Sequence, residues 1–326
     1  KVSMLIVPYL ILILIMSESA PKRQKLDPDS GSSILNKDAG AVKGFNASSD
    51  VDNAADFKTS ETSIPILPRD VKVLLLDIEG CTTAISFVKD VLFPFALSNL
   101  NSFMKDLSVT DLEGILNSLK EDVSKLDKDH PARQEIESDE KTAAASDGST
   151  DDKQYKELIS IYMNAMVKAD VKATGLKGVQ GKIWKSGYAS GDLKGHIYDD
   201  FKPMLDWMKK QSVSVNIYSS GSIGAQKLLF GKSDEGDLCS YFNSHFDTTS
   251  GGKKEAASYK KIAADLKVDP KDICFVSDAE AELVAAREAG IGFPVMSVRP
   301  GNAPLTDVGK EFPIIFSLLQ ICGTGS

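Results

Sequence analysis

The sequence predicts an α/β protein with a Rossmann-like, doubly wound parallel sheet, an inserted helical cap and a disordered N-terminal tail. From Val71 onward, apolar runs of strand length alternate with segments of helical period, which is typical of doubly wound domains. These runs are apolar on both faces, as expected for strands of a buried parallel sheet.

Residues 1–66 are predicted to form the disordered tail, because residues 17–63 are polar and show no sustained period. An apolar run, VSMLIVPYLILILIM, precedes them. A signal or anchor is one interpretation of this run. However, the run is short for a spanning helix and is broken by Pro8. We therefore favour translated upstream sequence, with Met16 as the natural start.

The remaining chain divides into a core and a cap. The predicted strands are VKVLLLD, VSVNIYSS, HFDT, DICFVSD and FPVMSVRP. Residues 78–212 separate the first two strands, whereas a parallel crossover needs only about a dozen residues. We predict core segments at 67–85 and 196–326, and a cap at 86–195 that contains an acidic flexible loop at 130–153. Predicted helices cover 87–107, 111–126, 153–169, 199–210, 222–230, 255–266 and 279–289.

Composition excludes several classes of partner and cofactor. The net charge of -8 argues against a nucleic-acid or anionic-membrane partner, although the basic cluster at 21–25 leaves nuclear import open. The four cysteines form no CxxC pair and the three histidines lack metal-ligand spacing, so we expect neither a zinc site nor a disulfide framework. Free thiols fit a reducing compartment.

Carboxylates follow two of the predicted strands. Asp77 and Glu79 end the first strand, and Asp278 ends DICFVSD. Ligands of open parallel sheets bind at this edge, so we expect these side chains to meet there. Two aspartates from different strands suit Mg²⁺. Asp77 could then attack phosphorus as a nucleophile, while Glu79 acts as acid and then base.

Three further features point to a phosphate site, and each has a simpler explanation. Ser219 and Ser220 lie where a strand turns into a helix, a place that can cradle phosphate or simply cap the helix. Lys253 precedes a helix and could neutralise phosphoryl oxygens, but a solvated lysine is the alternative and Lys254 is adjacent. Glu282 is a candidate partner of the metal ligands, or an acid that suits the helix dipole.

In this order, the motifs resemble the haloacid dehalogenase superfamily. The segments DIEG, SFVKDVLFP, IYSSGSIGAQKLLFG and VRPGNAPLTD are similar to the enolase-phosphatase, or acireductone synthase, family of methionine salvage. The resemblance implies Mg²⁺-dependent conversion of 2,3-diketo-5-methylthiopentyl-1-phosphate to 1,2-dihydroxy-3-keto-5-methylthiopentene and phosphate. It also implies a cytoplasmic monomer that enters the nucleus.

The resemblance also assigns roles to individual residues. It implies one Mg²⁺ per subunit, held by Asp77, by Asp278 and by the main-chain carbonyl of Glu79. Asp77 would be the nucleophile and Glu79 the acid/base. The implied substrate-binding residues are Ser219, Ser220 and Lys253.

Two positions depart from the family pattern. Cys81 stands where the family has Thr, and a thiol is the weaker hydrogen-bond donor. Lys182 stands where we expect His, so the sequence matches the family pattern better for phosphate removal than for enolisation. Two alternatives therefore stay open. The protein could be a general phosphatase of small phosphomonoesters, or a catalytically inactive relative that binds a partner. Candidates for an apolar wall around the methylthioalkyl tail are Phe87, Phe93 and Trp184.

Overall fold

The computed structural model describes Leu67, residues 70–144 and residues 152–322. The predicted disordered tail at 1–66, with its apolar run, lies outside the described residues. No helix within the described ranges is long and apolar enough to cross a membrane.

The described residues form a six-stranded sheet in which every pair of neighbouring strands is parallel, in the order β3-β2-β1-β4-β5-β6. The strands are β1 (Val73–Leu76), β2 (Ser214–Tyr218), β3 (Phe242–Phe246), β4 (Ile273–Ser277), β5 (Phe293–Ser297) and β6 (Ile314–Ile315). Leu76 at the end of β1 pairs with Ile217 on one side and with Val276 on the other. The carboxyl ends of three neighbouring strands therefore lie side by side.

Helices cover both faces of this sheet, and the helices within residues 87–190 form a separate group. That group starts with a π-helical turn at Phe87–Leu92 and continues as α1 (Phe93–Ser98), α2 (Leu100–Met104), α3 (Val109–Ser124), α4 (Pro131–Ala144), α5 (Asp152–Lys168) and α6 (Thr174–Ser190). The remaining helices are α7 (Phe201–Lys210), α8 (Ile223–Gly231), α9 (Ala256–Leu266) and α10 (Glu280–Glu288).

Alternation along β1 explains the two covered faces. Leu74 and Leu76 pack into one apolar cluster with residues of α7 and α8, whereas Val73 and Leu75 pack into another with residues of α9 and α10. A strand residue points to the face opposite its neighbour, so a strand buried on both faces must be apolar throughout. The predicted doubly wound fold is confirmed.

Helices α2 to α6 have an apolar core of their own. Its buried members all lie between Leu100 and Ile183, and α3, α4, α5 and α6 contribute to it. Two chain segments join this group to the sheet, and they are hydrogen-bonded to each other. The Thr83 hydroxyl donates to the His196 carbonyl over 2.8 Å, and the Tyr198 amide donates to the Thr82 carbonyl over 3.0 Å. The residue boundaries predicted for core and cap stay a prediction.

One prediction in this region was wrong. A flexible loop was expected at 130–153, but α4 occupies Pro131–Ala144. Ala132 and Ile136 provide a narrow apolar stripe that is buried, and the Tyr162 hydroxyl of α5 donates to Glu140 over 3.0 Å. Two buried side chains suffice here because α5 covers them, although the surrounding sequence is acidic. Residues 145–151 lie outside the described residues.

Candidate active site

A lysine lies between two carboxylates at the end of β1. Lys253 Nζ is 2.7 Å from Asp77 Oδ1 and 2.7 Å from Glu282 Oε2, and none of the three side chains is more than 12% exposed. The Asp77 Oδ1 atom also accepts from the Ile78 amide over 2.7 Å, and Ser277 Oγ donates to Glu282 Oε2 over 2.7 Å. These contacts fix the positions of the Asp77 carboxylate and the Lys253 ammonium.

Asp278 extends this group at the end of β4. Donor atoms of Asp77, Cys81 and Asp278 all lie within 4.8 Å of one another. Burial, followed by the charges of Asp77 and Glu282, raises the pKa of Asp278 to about 7. A cation between Asp77 and Asp278 would relieve this repulsion, and two carboxylates are the ligands that a hard ion such as Mg²⁺ prefers. The donor set therefore fits the predicted metal.

The thiol of Cys81 does not belong to that ligand set on chemical grounds. Cys81 is completely buried, and burial together with the Asp77 charge raises the pKa of its thiol well above the ordinary value. The thiol therefore stays protonated, and sulfur suits softer metals than Mg²⁺.

Gly80 allows the turn after Glu79 to approach Asp278. Its φ is +71°, and a Cβ at this position would lie 2.4 Å from Asp278 Oδ2. Asn302 and Ser297 hold the same turn, since Asn302 Nδ2 and Ser297 Oγ donate to the Gly80 carbonyl over 3.0 and 3.3 Å. Asn302 was not predicted from the sequence, because it follows β5 and carries no motif signal beyond the run VRPGN.

A pocket lies next to the carboxylates and contains the other predicted polar residues. Glu79, Ser219 and Ser220 line it. Burial, followed by the Asp77 charge, raises the pKa of Glu79. A raised pKa favours the protonated form, which is the form that a general acid needs. Asp77 itself is not among the lining residues, but Ile78 and Glu79, which follow it directly, are.

Comparisons with known proteins agree with this geometry. Residues 71–290 match the family model described as haloacid dehalogenase-like hydrolase. The enolase-phosphatase E1 of Drosophila willistoni is 40% identical over 259 residues, which cover 78% of this chain and 99% of that protein. The enolase-phosphatase E1 of Xenopus tropicalis is 40% identical over 246 residues, or 75% of this chain and 92% of the relative.

A solved structure, that of the UTR4 protein from Saccharomyces cerevisiae, aligns with a TM-score of 0.55 and 31% identity. The alignment covers 76% of this chain and 98% of the yeast protein. The chain belongs to the enolase-phosphatase family of haloacid dehalogenase-like hydrolases. The family resemblance seen in the sequence is thereby confirmed.

Helix α6 contributes pocket residues that were not predicted from the sequence. Lys177 and Gln180 line the pocket, and Lys172 lies in the segment that leads into the helix. Lys177 Nζ donates to the Ser220 carbonyl over 2.8 Å. No helix was predicted here, because glycines recur along KATGLKGVQGKIWKSG and weaken the helical signal. Lys177 and Gln180 are three residues apart and therefore lie on one face of the helix. This spacing is the signal that could have identified them.

The structure also separates the candidates for an apolar wall. Phe93 and Trp184 line the pocket and their rings stack with centroids 6.5 Å apart. Trp184 Nε1 donates to the Leu92 carbonyl over 2.8 Å, which fixes the indole ring. Phe87 was a wrong candidate, because it is buried against His196 and is not among the pocket residues.

Burial distinguishes the lysines that were considered for the enolase-phosphatase site. Lys253 is buried between carboxylates, whereas Lys254 is exposed. Lys182, the departure from the expected His, is exposed on α6 and does not line the pocket. Any effect of Lys182 on an enolisation step would therefore act without contact between this side chain and the pocket.

Proposed function

We propose that this protein is a Mg²⁺-dependent enolase-phosphatase of L-methionine salvage. It would convert 2,3-diketo-5-methylthiopentyl-1-phosphate to 1,2-dihydroxy-3-keto-5-methylthiopentene and phosphate through an aspartyl-phosphate. The observation that carries the proposal is a buried Asp77 paired with Lys253 beside a pocket lined by Glu79 and two serines. Relatives named enolase-phosphatase over most of this chain support the substrate assignment.

Phosphate removal would proceed in two steps. An oxygen of Asp77 attacks phosphorus, the bond from phosphorus to the ester oxygen breaks, and Glu79 gives its proton to that leaving oxygen. Glu79 is then a carboxylate and can accept a proton from water. The resulting hydroxide attacks phosphorus, which releases phosphate and restores Asp77.

The remaining groups would bind the phosphoryl oxygens and the metal. Ser219 and Ser220 offer hydroxyl and main-chain donors, and Lys253 offers a positive charge that stabilises the transition state. Asp77, Asp278 and the main-chain carbonyl of Glu79 would hold one Mg²⁺. The bound ion would supply positive charge that offsets repulsion between phosphate and the attacking carboxylate.

Phe93 and Trp184 would receive the methylthioalkyl tail. Both rings face the pocket that contains Glu79, so an apolar tail and a reacting phosphate could occupy its two ends. Burying such a tail is favourable by about 25 cal/mol per Å² of apolar surface. A matched experiment compares the substrate with an analogue that lacks the methylthio group.

An assay of the diketo-phosphate with and without Mg²⁺ tests the proposal. The expected result is an enediol chromophore and an equal amount of phosphate, both dependent on Mg²⁺. Phosphate release without the enediol would favour the alternative, a general phosphatase of small phosphomonoesters. No phosphate release from any phosphomonoester would contradict both and leave a binding protein.

We further propose that the enzyme acts as a monomer in the cytoplasm and also enters the nucleus. The four cysteines are free, which supports a reducing compartment. Light scattering of the purified protein tests the monomer, and microscopy of a fluorescent fusion tests the location. A fusion confined to another organelle would refute the second part.

A further inference from the structure

The pocket has a wall made by the inserted helices, and two polar side chains of α6 stand on it. Lys177 and Gln180 are three residues apart and therefore neighbours on one helix face. Lys177 is half-buried and Gln180 is 3% exposed. The side-chain amide of Gln180 makes no hydrogen bond to the residues that the structure describes, and Gln180 lines the pocket. A side-chain amide placed in this way can hydrogen-bond a ligand or water in the pocket.

The position of Lys177 relates this wall to the phosphate cradle. Its ammonium donates to the carbonyl of Ser220, one of the two serines expected to bind the phosphate. In the diketo-phosphate, the two carbonyl carbons directly follow the carbon that carries the phosphate ester. Lys177, which contacts the Ser220 carbonyl, is therefore close to the expected position of the first carbonyl oxygen. Gln180 lies three residues further along α6 and is suitably placed for the second carbonyl oxygen.

We propose that Lys177 and Gln180 bind the two adjacent carbonyl oxygens of the substrate, and that Lys177 stabilises the negative charge that enolisation places on the first of them. This inference rests on the proposed function and adds the residues that select a vicinal diketone. A cation and an amide N–H are the kinds of donor that stabilise a developing oxyanion in a site shielded from water. Neither residue is needed to bind a phosphate whose carbon chain carries no carbonyl.

The electrostatics of the wall are consistent with an anionic ligand. Burial, followed by the charge of Lys172, lowers the pKa of Lys177. The positive charge of Lys177 is thus not fully balanced by negative charge in the ligand-free protein. An oxygen that gains negative charge would offset this cost during the reaction.

Two substrates and a control on the same helix test the inference. Lys177→Met and Gln180→Leu remove the donors, Lys177→Arg keeps the charge, and Lys182→Met removes an exposed charge from α6. Each variant is assayed with the diketo-phosphate and with p-nitrophenyl phosphate, which has no carbonyl group. We expect Lys177→Met to lower kcat/KM for the diketo-phosphate about 100-fold. The loss with p-nitrophenyl phosphate should be at least about tenfold smaller.

The controls separate substrate recognition from a structural role. Lys182→Met should match the wild type with both substrates, and Lys177→Arg should recover part of the loss. Equal losses with both substrates in Lys177→Met and Gln180→Leu would overturn the inference, because the residues would then only hold α6 against the Ser220 loop. Undiminished enediol formation in both variants would overturn it as well. If the wild type itself forms no enediol, it is the proposed function that fails.

Discussion

The Lys253 ammonium lies 2.7 Å from the Asp77 carboxylate, and both side chains are 8% exposed. Burial by itself lowers the pKa of Lys253, but the charges of Asp77 and Glu282 outweigh that effect and raise it. Lys253 therefore stays charged, and its charge lies directly beside the carboxylate that would attack phosphorus.

Asp77→Asn should abolish phosphate release while the protein stays folded. Asn has nearly the same shape as Asp but cannot attack phosphorus, and Glu282 still pairs with Lys253 in the variant. Phosphate release and thermal unfolding measure the two effects. Asp307→Asn is the control, because the Asp307 side chain is fully exposed. Turnover by Asp77→Asn at a rate near that of the wild type would refute the aspartyl-phosphate mechanism.

Glu282→Gln should lower kcat by about tenfold to 100-fold. Without this charge Lys253 has Asp77 as its single carboxylate partner, and the tighter pairing makes Asp77 less available for attack. Loss of a charged hydrogen bond should also lower the free energy of unfolding by about 1–3 kcal/mol. Steady-state kinetics and denaturant titration measure these changes, with Glu311→Gln as a control on an exposed ion pair. A stability loss with unchanged kcat would show that Glu282 has a structural role alone.

The sheet and the carboxylates could be predicted from sequence because both depend on local patterns. Strands buried on two faces are apolar throughout, and the residues that follow such strands share one edge of the sheet. Asp77 and Asp278 were identified in this way, whereas Lys253 was identified by its place before a helix, and the structure brings them together. Strand β6 was missed, since a strand of two residues gives too little pattern.

The pocket wall formed by α6 could not be predicted, because tertiary contacts determine which of its side chains line the pocket. Lys177 looks like any helical lysine until the structure places it against the carbonyl of Ser220, 43 residues away in sequence. Helix α4 was missed for a related reason, as an acidic segment with a narrow apolar stripe becomes a helix when α5 covers that stripe. In both cases, the structure depends on tertiary packing that local sequence propensity does not reveal.

Gly80→Ala should inactivate the enzyme, whereas Gly236→Ala should not. Both glycines have positive φ, at +71° and +88°, so alanine costs about 1–2 kcal/mol of stability at either position. At Gly80 the new Cβ would also lie 2.4 Å from Asp278 Oδ2, while nothing lies within 4 Å at Gly236. Phosphate release and binding of Mg²⁺ by calorimetry distinguish the two variants. Equal activity in both would mean that the turn can move away from Asp278 without consequence.

Mg²⁺ should stabilise the protein more at high pH than at low pH, because of Asp278. The pKa of this carboxyl is raised to about 7 in the metal-free protein. Between the unfolded value of 3.8 and that folded value, the native state binds a proton that the unfolded state does not. The metal-free protein therefore loses stability from this group as the pH rises through about 7. Mg²⁺ needs the deprotonated carboxylate, so its affinity falls as the pH drops below the same value.

Thermal unfolding with and without saturating Mg²⁺, at about pH 8 and about pH 6, measures this linkage. The increase in Tm caused by Mg²⁺ should be clearly larger at the higher pH in the wild type. In Asp278→Asn, the increase should be small at both pH values, since one ligand is lost and no proton competes. EDTA treatment before each scan ensures that the reference protein is metal-free. An equal increase at both pH values in the wild type would show that Asp278 does not compete with protons for the ion.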